Sequence, residues 1–176
     1  MTRADPKDLR ARLASPQDSA AIAAIYNQGI EDRVATFETA PRSASDVAAW
    51  FDGAHPTVVV ESGDRIVAFA STSTYRPRSC YAGIAEVSLY VERSFRGRGA
   101  GSAAMRAILA EAARAGFWKL VSRVFLDNQA SRGLIASAGF REVGVYKNHG
   151  RLDGKWRDVV IVERLLTNQA SLEETR

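Results

Sequence analysis

The residues with the clearest chemical meaning in this chain form a run of glycines and arginines at residues 96–101, RGRGAG. Glycine lets backbone N–H groups turn toward a ligand without a collision at Cβ. The first N–H groups of a helix have no partners within that helix, and they lie at the positive end of its dipole. Because this run leads into a helical pattern, it can bind a pyrophosphate, and Arg96 and Arg98 can add charged hydrogen bonds.

Three phosphate-binding patterns compete for this segment. A P-loop requires Gly-Lys followed by Ser or Thr, and the chain does not contain that combination. A dinucleotide fingerprint requires an early βαβ unit, whereas these glycines follow a hairpin pattern in mid-chain. The spacing Arg96-x-x-Gly99-x-Gly101 fits the third pattern, which binds the pyrophosphate of coenzyme A. Such a run can also be a loop for purely structural reasons.

Two further groups could carry chemistry. Glu86 interrupts an apolar strand pattern just before the glycine run, and a carboxylate that faces a partly buried cleft can relay a proton through water. The alternative is a solvent-facing Glu86 that pairs with an arginine across the sheet. Arg76 and Arg78 flank Pro77 near a strand end, where two planar guanidinium groups could bind an anionic ligand. They could equally be solvated loop arginines.

Composition narrows the class of protein. A length of 176 residues with 46% hydrophobic residues predicts one globular domain, residues 1–166, with a polar tail at 167–176. The net charge is +4, but the arginines are scattered, which disfavours a nucleic-acid-binding module. The lone Cys80 excludes an internal disulfide, and His55 and His149 have no ligand-spaced partners, so we expect no metal. The first residues resemble no signal peptide and no apolar stretch suits a bilayer, so we expect a cytoplasmic protein without membrane contact.

Apolar periodicity predicts about seven strands and four helices around these groups. The predicted strands cover residues 9–13, 57–61, 65–73, 81–91, 118–125, 141–147 and 156–166. The predicted helices begin after Ser15 and after Ser43 or Ser45, the latter running through Phe51, and cover residues 102–115 and about 127–139. Residues 31–39 are too irregular to assign.

Three further stretches lie where one enzyme family places them: residues 87–91 before the glycine run, 127–131 at the next helix start, and 138–140 at its end. With these stretches, residues 9–166 resemble the GNAT family of acetyl-CoA-dependent N-acetyltransferases. The resemblance implies an α/β (α+β) fold with a mixed sheet, in which acetyl-CoA lies where the fourth and fifth strands splay apart. Residues 26–27, 35–38 and 156–159, together with Arg76 and Arg78, resemble the branch that acetylates phosphinothricin, methionine sulfoximine or arsinothricin.

The resemblance also implies roles for individual residues. Glu86 matches the family's catalytic base, and Phe37, Arg76 and Arg78 would bind a small anionic, glutamate-like amino acid whose α-amino group is acetylated. Phe37 could equally be a core residue. The expected acetyl-CoA contacts are Ser88, Leu89, Tyr90, Val91, Arg96, Gly97, Arg98, Gly99, Ala100, Gly101, Ser102, Asn128 and Ser131. Asn128 could also be a plain helix cap.

The sequence departs from the family at one position and leaves several alternatives open. The family often has a tyrosine as general acid where this chain has Ile135, so protonation of the thiolate falls to water or to Tyr90, or the thiolate leaves unprotonated. The branch implies a homodimer, in which Asn148 or His149 could reach the neighbouring pocket. The expected role is detoxification that confers resistance. The alternatives are an acetyltransferase for a protein N-terminus or another amine, or a non-catalytic acyl-CoA sensor.

Overall fold

The computed structural model describes residues 8–166, so the tail expected at 167–176 lies outside it. The predicted seven strands and four helices are present. The strands are β1 (Leu9–Leu13), β2 (Thr57–Ser62), β3 (Arg65–Thr74), β4 (Ile84–Val91), β5 (Lys119–Phe125), β6 (Arg141–Leu152) and β7 (Lys155–Leu165). The helices are α1 (Ser19–Asp32), α2 (Ala44–Ala48), α3 (Ala100–Arg114) and α4 (Gln129–Ser137).

All seven strands form one mixed sheet in the order β1-β2-β3-β4-β5-β7-β6. Every neighbouring pair is antiparallel except β4 and β5, which are parallel. That parallel pairing covers only three residues of each strand, from Ile84–Lys119 to Glu86–Val121. The two strands separate beyond Glu86, which confirms the expected splay in the middle of the sheet.

Helices cover both faces of the sheet, and strand β2 shows why. Val58 and Val60 are buried against the core of α3, whereas Val59 is buried against α1 and α2. Alternate residues of a strand point to opposite faces, so a continuous run of valines is the pattern of a strand covered on both sides. Each such side chain contributes about 1.5–3 kcal/mol to folding.

The structure corrects several predicted boundaries. The strand predicted from residue 81 begins at Ile84, because Ser79–Tyr81 form a 3-10 turn and Gly83 packs closely against the ring of Trp118. The helix predicted through residue 51 ends at Ala48. The strand predicted for residues 141–147 continues to Leu152, and the loop signal at residues 149–150 marks a register shift within it. No helix among the described residues has the length and hydropathy needed to span a membrane.

Candidate active site

The gap between β4 and β5 leaves backbone groups of β4 open to a ligand. The Ser122 hydroxyl donates to the carbonyl of Val87 across 2.8 Å, so this carbonyl points toward β5. Backbone groups of every second residue face the same strand edge, and the N–H and C=O of Leu89 therefore face the gap. Since pairing with β5 has ended at Glu86, an extended ligand can hydrogen-bond to Leu89 as an added strand would.

The glycine segment, residues 96–101, leads into and forms the N-terminus of α3. Gly97 and Gly99 have φ angles of +71° and +88°, in the left-handed region that favours glycine. Helix α3 follows at once, so the N–H groups of Ala100, Gly101 and Ser102 have no acceptor within the helix. A Cβ on Gly101 would lie 3.1 Å from Leu134 and 3.3 Å from Val91, so a larger residue would crowd this helix against its neighbours.

A cavity of about 490 Å³ lies between the glycine segment, β4 and α4. Most of the predicted cofactor residues line it: Leu89, Tyr90, Val91, Arg96, Gly97, Gly99, Gly101, Ser102, Asn128 and Ser131. Three predicted residues do not. Ala100 is buried in the core beneath α3, Arg98 lies over the ring of Phe95 at 5.4 Å, and Ser88 lines the adjoining cavities instead.

Arg96 lies at the rim of this cavity, and its guanidinium forms an ion pair with Asp32. Its Nη2 donates to Asp32 Oδ2 at 2.6 Å and its Nε to the carbonyl of Val91 at 3.2 Å. Burial opposes ionisation of Asp32, but hydrogen bonds from Arg93 and Arg96 outweigh it and lower the pKa of this carboxyl. Asp32 therefore stays ionised and fixes Arg96 beside the glycine segment.

Asn128 is the cap of α4, as predicted, and it also ties two segments together. Its Oδ1 accepts from the N–H of Ser131 at 3.0 Å, and its Nδ2 donates to the carbonyl of Val34 at 2.9 Å. The cap satisfies one free N–H of the helix. A contact between Asn128 and the pantetheine arm stays a prediction.

A second cavity of about 540 Å³ opens on the other side of Ser88 and Tyr90. Glu86 and Phe37 both line it. The ring of Phe37 packs edge-on against Phe125 at 4.8 Å and lies close to Gly150, where a Cβ would come within 2.7 Å. Phe37 is thus a wall of this cavity and also part of the local packing.

Glu86 combines the two interpretations that the sequence left open. It faces the second cavity, and it is paired with an arginine from the neighbouring strand, Arg123. Nη2 of Arg123 lies 2.6 Å from Oε2 and 2.7 Å from Oε1 of Glu86, and Nε lies 3.1 Å from Oε1. Arg123 is not among the residues predicted from the sequence. It follows Val121, the parallel partner of Glu86, by two residues and so lies on the same face.

Tyr90 lies between the two cavities and lines both. Its ring stacks on Phe69 at 5.4 Å and meets Tyr26 edge-on at 4.8 Å. Burial raises the pKa of the Tyr90 hydroxyl, and Tyr26 raises it further. The phenol therefore stays protonated at neutral pH, which makes it a hydrogen-bond donor but a weak acid. Ile135, at the family's tyrosine position, is buried and has no polar group to offer.

The remaining predicted residues lie farther out. Arg76 and Arg78 are exposed in the segment between β3 and β4, and neither lines the cavity of Glu86. The guanidinium of Arg76 lies over the ring of Tyr75 at 5.4 Å, and its interaction with Tyr75 raises the pKa of Arg76. His149 lines the second cavity of its own chain, whereas the family resemblance implied a contact with the neighbouring subunit's pocket. The N–H of Asn148 donates to Asp158 at 2.8 Å, outside that cavity.

The sequence also led us to expect no metal site. In residues 8–166, no three His, Cys, Asp or Glu side chains lie close enough together to hold a metal ion.

Comparisons with known proteins agree with this geometry. A phosphinothricin N-acetyltransferase of Alcaligenes faecalis is 31% identical over 88% of this chain and 81% of its own length. A methionine sulfoximine/methionine sulfone acetyltransferase of Pseudomonas paraeruginosa is 29% identical over 94% and 95%. The crystal structure of a phosphinothricin acetyltransferase from Sinorhizobium meliloti with acetyl-CoA superimposes with a TM-score of 0.86, at 27% identity over 93% and 91%.

The sequence profile of the acetyltransferase (GNAT) family matches residues 22–140, which is more than half of the chain. This match includes most of α1, the splayed strands β4 and β5, the glycine segment and α4. The chain therefore belongs to the GNAT family and is an N-acetyltransferase.

Proposed function

We propose that this enzyme transfers an acetyl group from acetyl-CoA to the α-amino group of a small anionic amino acid of the phosphinothricin, methionine sulfoximine or arsinothricin type. The observation that carries the proposal is the meeting of two cavities at β4. Tyr90 lines both cavities, and Glu86 faces only the second of them. Relatives at about 30% identity act on phosphinothricin and on methionine sulfoximine, which supports an amino acid as the acceptor.

The first cavity fits acetyl-CoA. The free N–H groups at the start of α3, together with Arg96, can bind its pyrophosphate, and the backbone of Leu89 can bind its pantetheine arm. Bound there, acetyl-CoA supplies a thioester carbonyl as the acetyl donor. The N–H of Leu89 faces the gap and can donate to that carbonyl oxygen, which stabilises the charge that develops there. Tyr90 can donate a hydrogen bond to the departing thiolate.

The second cavity would hold the acceptor. Glu86 takes a proton from the ammonium group, directly or through water, so that the amine becomes nucleophilic. Phe37 forms an apolar wall beside the acceptor's side chain. Arg76 and Arg78 lie outside the cavity wall, and we propose that they attract the anionic acceptor toward its mouth.

The test is a thiol-release assay with acetyl-CoA and a panel that contains phosphinothricin, arsinothricin, methionine sulfoximine, methionine sulfone and simple amines. We expect turnover with at least one anionic amino acid. Glu86→Gln should reduce kcat by about 10²–10⁴-fold and leave acetyl-CoA binding unchanged. Unchanged turnover in this variant would remove Glu86 from the mechanism. Turnover of peptides or polyamines alone would favour the alternative acceptors.

A separate variant tests the two outer arginines. Arg76→Ala should raise the KM of the anionic acceptor by several fold and the KM of acetyl-CoA by much less. The guanidinium of Arg76 is fully exposed, so its pull on the acceptor acts through solvent and should weaken with added salt. Equal changes in both KM values would contradict this role.

We also propose a homodimer that works in the cytoplasm, where acetylation of a toxic amino acid would confer resistance. Strand β6 supports the dimer, because it is an edge of the sheet and exposes Val143, Val145 and Tyr146. Light scattering would measure the oligomeric state. Growth of expressing cells on the toxic amino acid would measure resistance.

A further inference from the structure

We propose that Arg123 binds the carboxylate of the acceptor, and that this binding releases Glu86 to act as the base. The inference rests on the proposed function, since it assigns the group that recognises an amino acid in the second cavity. Arg123 would be a specificity-determining residue, and the ion pair with Glu86 would be the resting state that the substrate opens.

The geometry of the pair makes Arg123 the accessible partner. Its side chain is 54% exposed, whereas that of Glu86 is 22% exposed, so the guanidinium presents the larger free surface to a ligand. Both residues line the second cavity together with Phe37 and His149. Among the residues lining this cavity in the described part of the chain, Arg123 is the one arginine or lysine. A carboxylate that enters here meets this guanidinium as its strongest donor.

The same pair keeps Glu86 occupied until an acceptor arrives. Both carboxylate oxygens of Glu86 accept hydrogen bonds from Arg123, at 2.6 and 2.7 Å. A base whose two oxygens face a guanidinium is poorly placed to remove a proton from an ammonium group. Breaking the pair without replacement would leave the partly buried carboxylate of Glu86 unpaired, which is unfavourable.

An amino acid zwitterion can replace both partners at once. Its carboxylate pairs with Arg123 while its ammonium group pairs with Glu86, so two opposite charges are matched before and after the exchange. Glu86 then accepts one ammonium proton, the nitrogen lone pair bonds to the acetyl carbon, and the carbon–sulfur bond breaks to release the thiolate. The second proton that the nitrogen loses as the amide forms passes to the thiolate or to water. An amine without a carboxylate cannot occupy Arg123, and Glu86 would stay paired.

The experiment compares one acceptor in two forms, methionine sulfone and its carboxamide, whose uncharged amide replaces the carboxylate. We expect Arg123→Gln to lower kcat/KM for methionine sulfone by about 10–100-fold, mainly through KM. The value for the carboxamide should stay within about threefold of wild type or rise. The acid-to-amide ratio is kcat/KM for methionine sulfone divided by kcat/KM for its carboxamide. It is compared between the wild type and the variant, so the different reactivity of the two amines cancels. A purely structural role for Arg123 would lower both values together.

Two further variants complete the test. Arg114→Gln removes an exposed arginine of α3 that pairs with Glu111 outside both cavities, and it should change neither value. Arg123→Lys keeps the charge but not the planar fork, so it should lower the acid-to-amide ratio by about tenfold and supplies the result if Arg123→Gln does not fold. If an active variant lost kcat/KM equally for both acceptors, the proposed role of Arg123 would be overturned and the proposed function would stand. A wild type inactive on every amino acid would overturn the proposed function with it.

Discussion

Gly29 is the position where helix α1 approaches Tyr90, a residue that lines both cavities. A Cβ built on Gly29 would lie 2.7 Å from both Cδ1 and Cε1 of Tyr90, which is closer than real Cβ atoms come to other atoms. The ring has little room to retreat, because Phe69 stacks on it at 5.4 Å and Tyr26 meets it edge-on at 4.8 Å. Gly29→Ala should therefore push the Tyr90 ring out of place.

Two opposing effects set the size of the stability change. Replacement of a helical glycine by alanine favours folding by about 1 kcal/mol. An extra methyl group in a packed site costs about 1–3 kcal/mol. We expect Gly29→Ala to lower the free energy of unfolding by 0 to about 2 kcal/mol. Since Tyr90 lines both cavities, the KM values of acetyl-CoA and of the acceptor should both rise.

Gly133 of α4 offers a matched control, because a Cβ built there meets no atom within 4 Å. Gly133→Ala should keep the helix effect alone and raise the free energy of unfolding by about 1 kcal/mol. Urea denaturation of both variants measures the difference, which we expect to be about 1–3 kcal/mol. The double variant Gly29→Ala/Tyr90→Leu should recover part of the loss. If Gly29→Ala were as stabilising as Gly133→Ala, the argument for a rigid Tyr90 ring would fail.

Three further predictions concern stability and the cofactor. Hydrogen bonds from Arg12 lower the pKa of Asp18 to about 2. This carboxylate therefore stabilises the fold above pH 4 and loses that effect as the pH falls toward 2. In urea denaturation, Asp18→Asn should lower the free energy of unfolding by about 2 kcal/mol at pH 7 and by progressively less in acid. Gly83→Ala would place Cβ 2.0 Å from the Trp118 ring and should lower the melting temperature strongly. Gly99→Ala, at φ +88°, should cost about 1–2 kcal/mol and raise the KM of acetyl-CoA more than that of the acceptor.

The cofactor side of this site follows from sequence because it is built mostly from backbone groups of adjacent residues. The glycine segment from Gly97 to Gly101 leads directly into α3, and both features have local signatures in spacing and residue type. The splay of β4 from β5 is different, since strand pairing is a long-range property. It was expected from the family resemblance, and the pairing that ends at Glu86 confirms it.

The acceptor side could be predicted only in part, because its wall comes from segments far apart in the chain. Arg123 follows Glu86 by 37 residues, and only the parallel register of β4 and β5 brings the two together. Phe37 packs close to Gly150 at a register shift in β6, and the loop signal at residues 149–150 does not indicate that this distant residue lies against it. The apparent anion site of Arg76 and Arg78 was inferred from their spacing, and spacing alone does not show that these side chains lie outside the cavity.

The cofactor side is built mostly from backbone groups and the acceptor side from side chains, and this difference affects how the enzyme's specificity can change. In the proposed mechanism backbone groups bind the donor, so substitutions that keep the glycines and the splay should leave acetyl-CoA binding intact. Side chains from six separate parts of the chain line the proposed acceptor cavity, and Phe37, Arg123 and His149 can each be replaced without disturbing the proposed pyrophosphate site. Glu86 is the exception, because its carboxylate forms the ion pair at rest and, in the proposed mechanism, also removes the proton during turnover. If the proposed role of Arg123 holds, a new acceptor must match Arg123 before any other contact matters, since that match determines whether Glu86 is available.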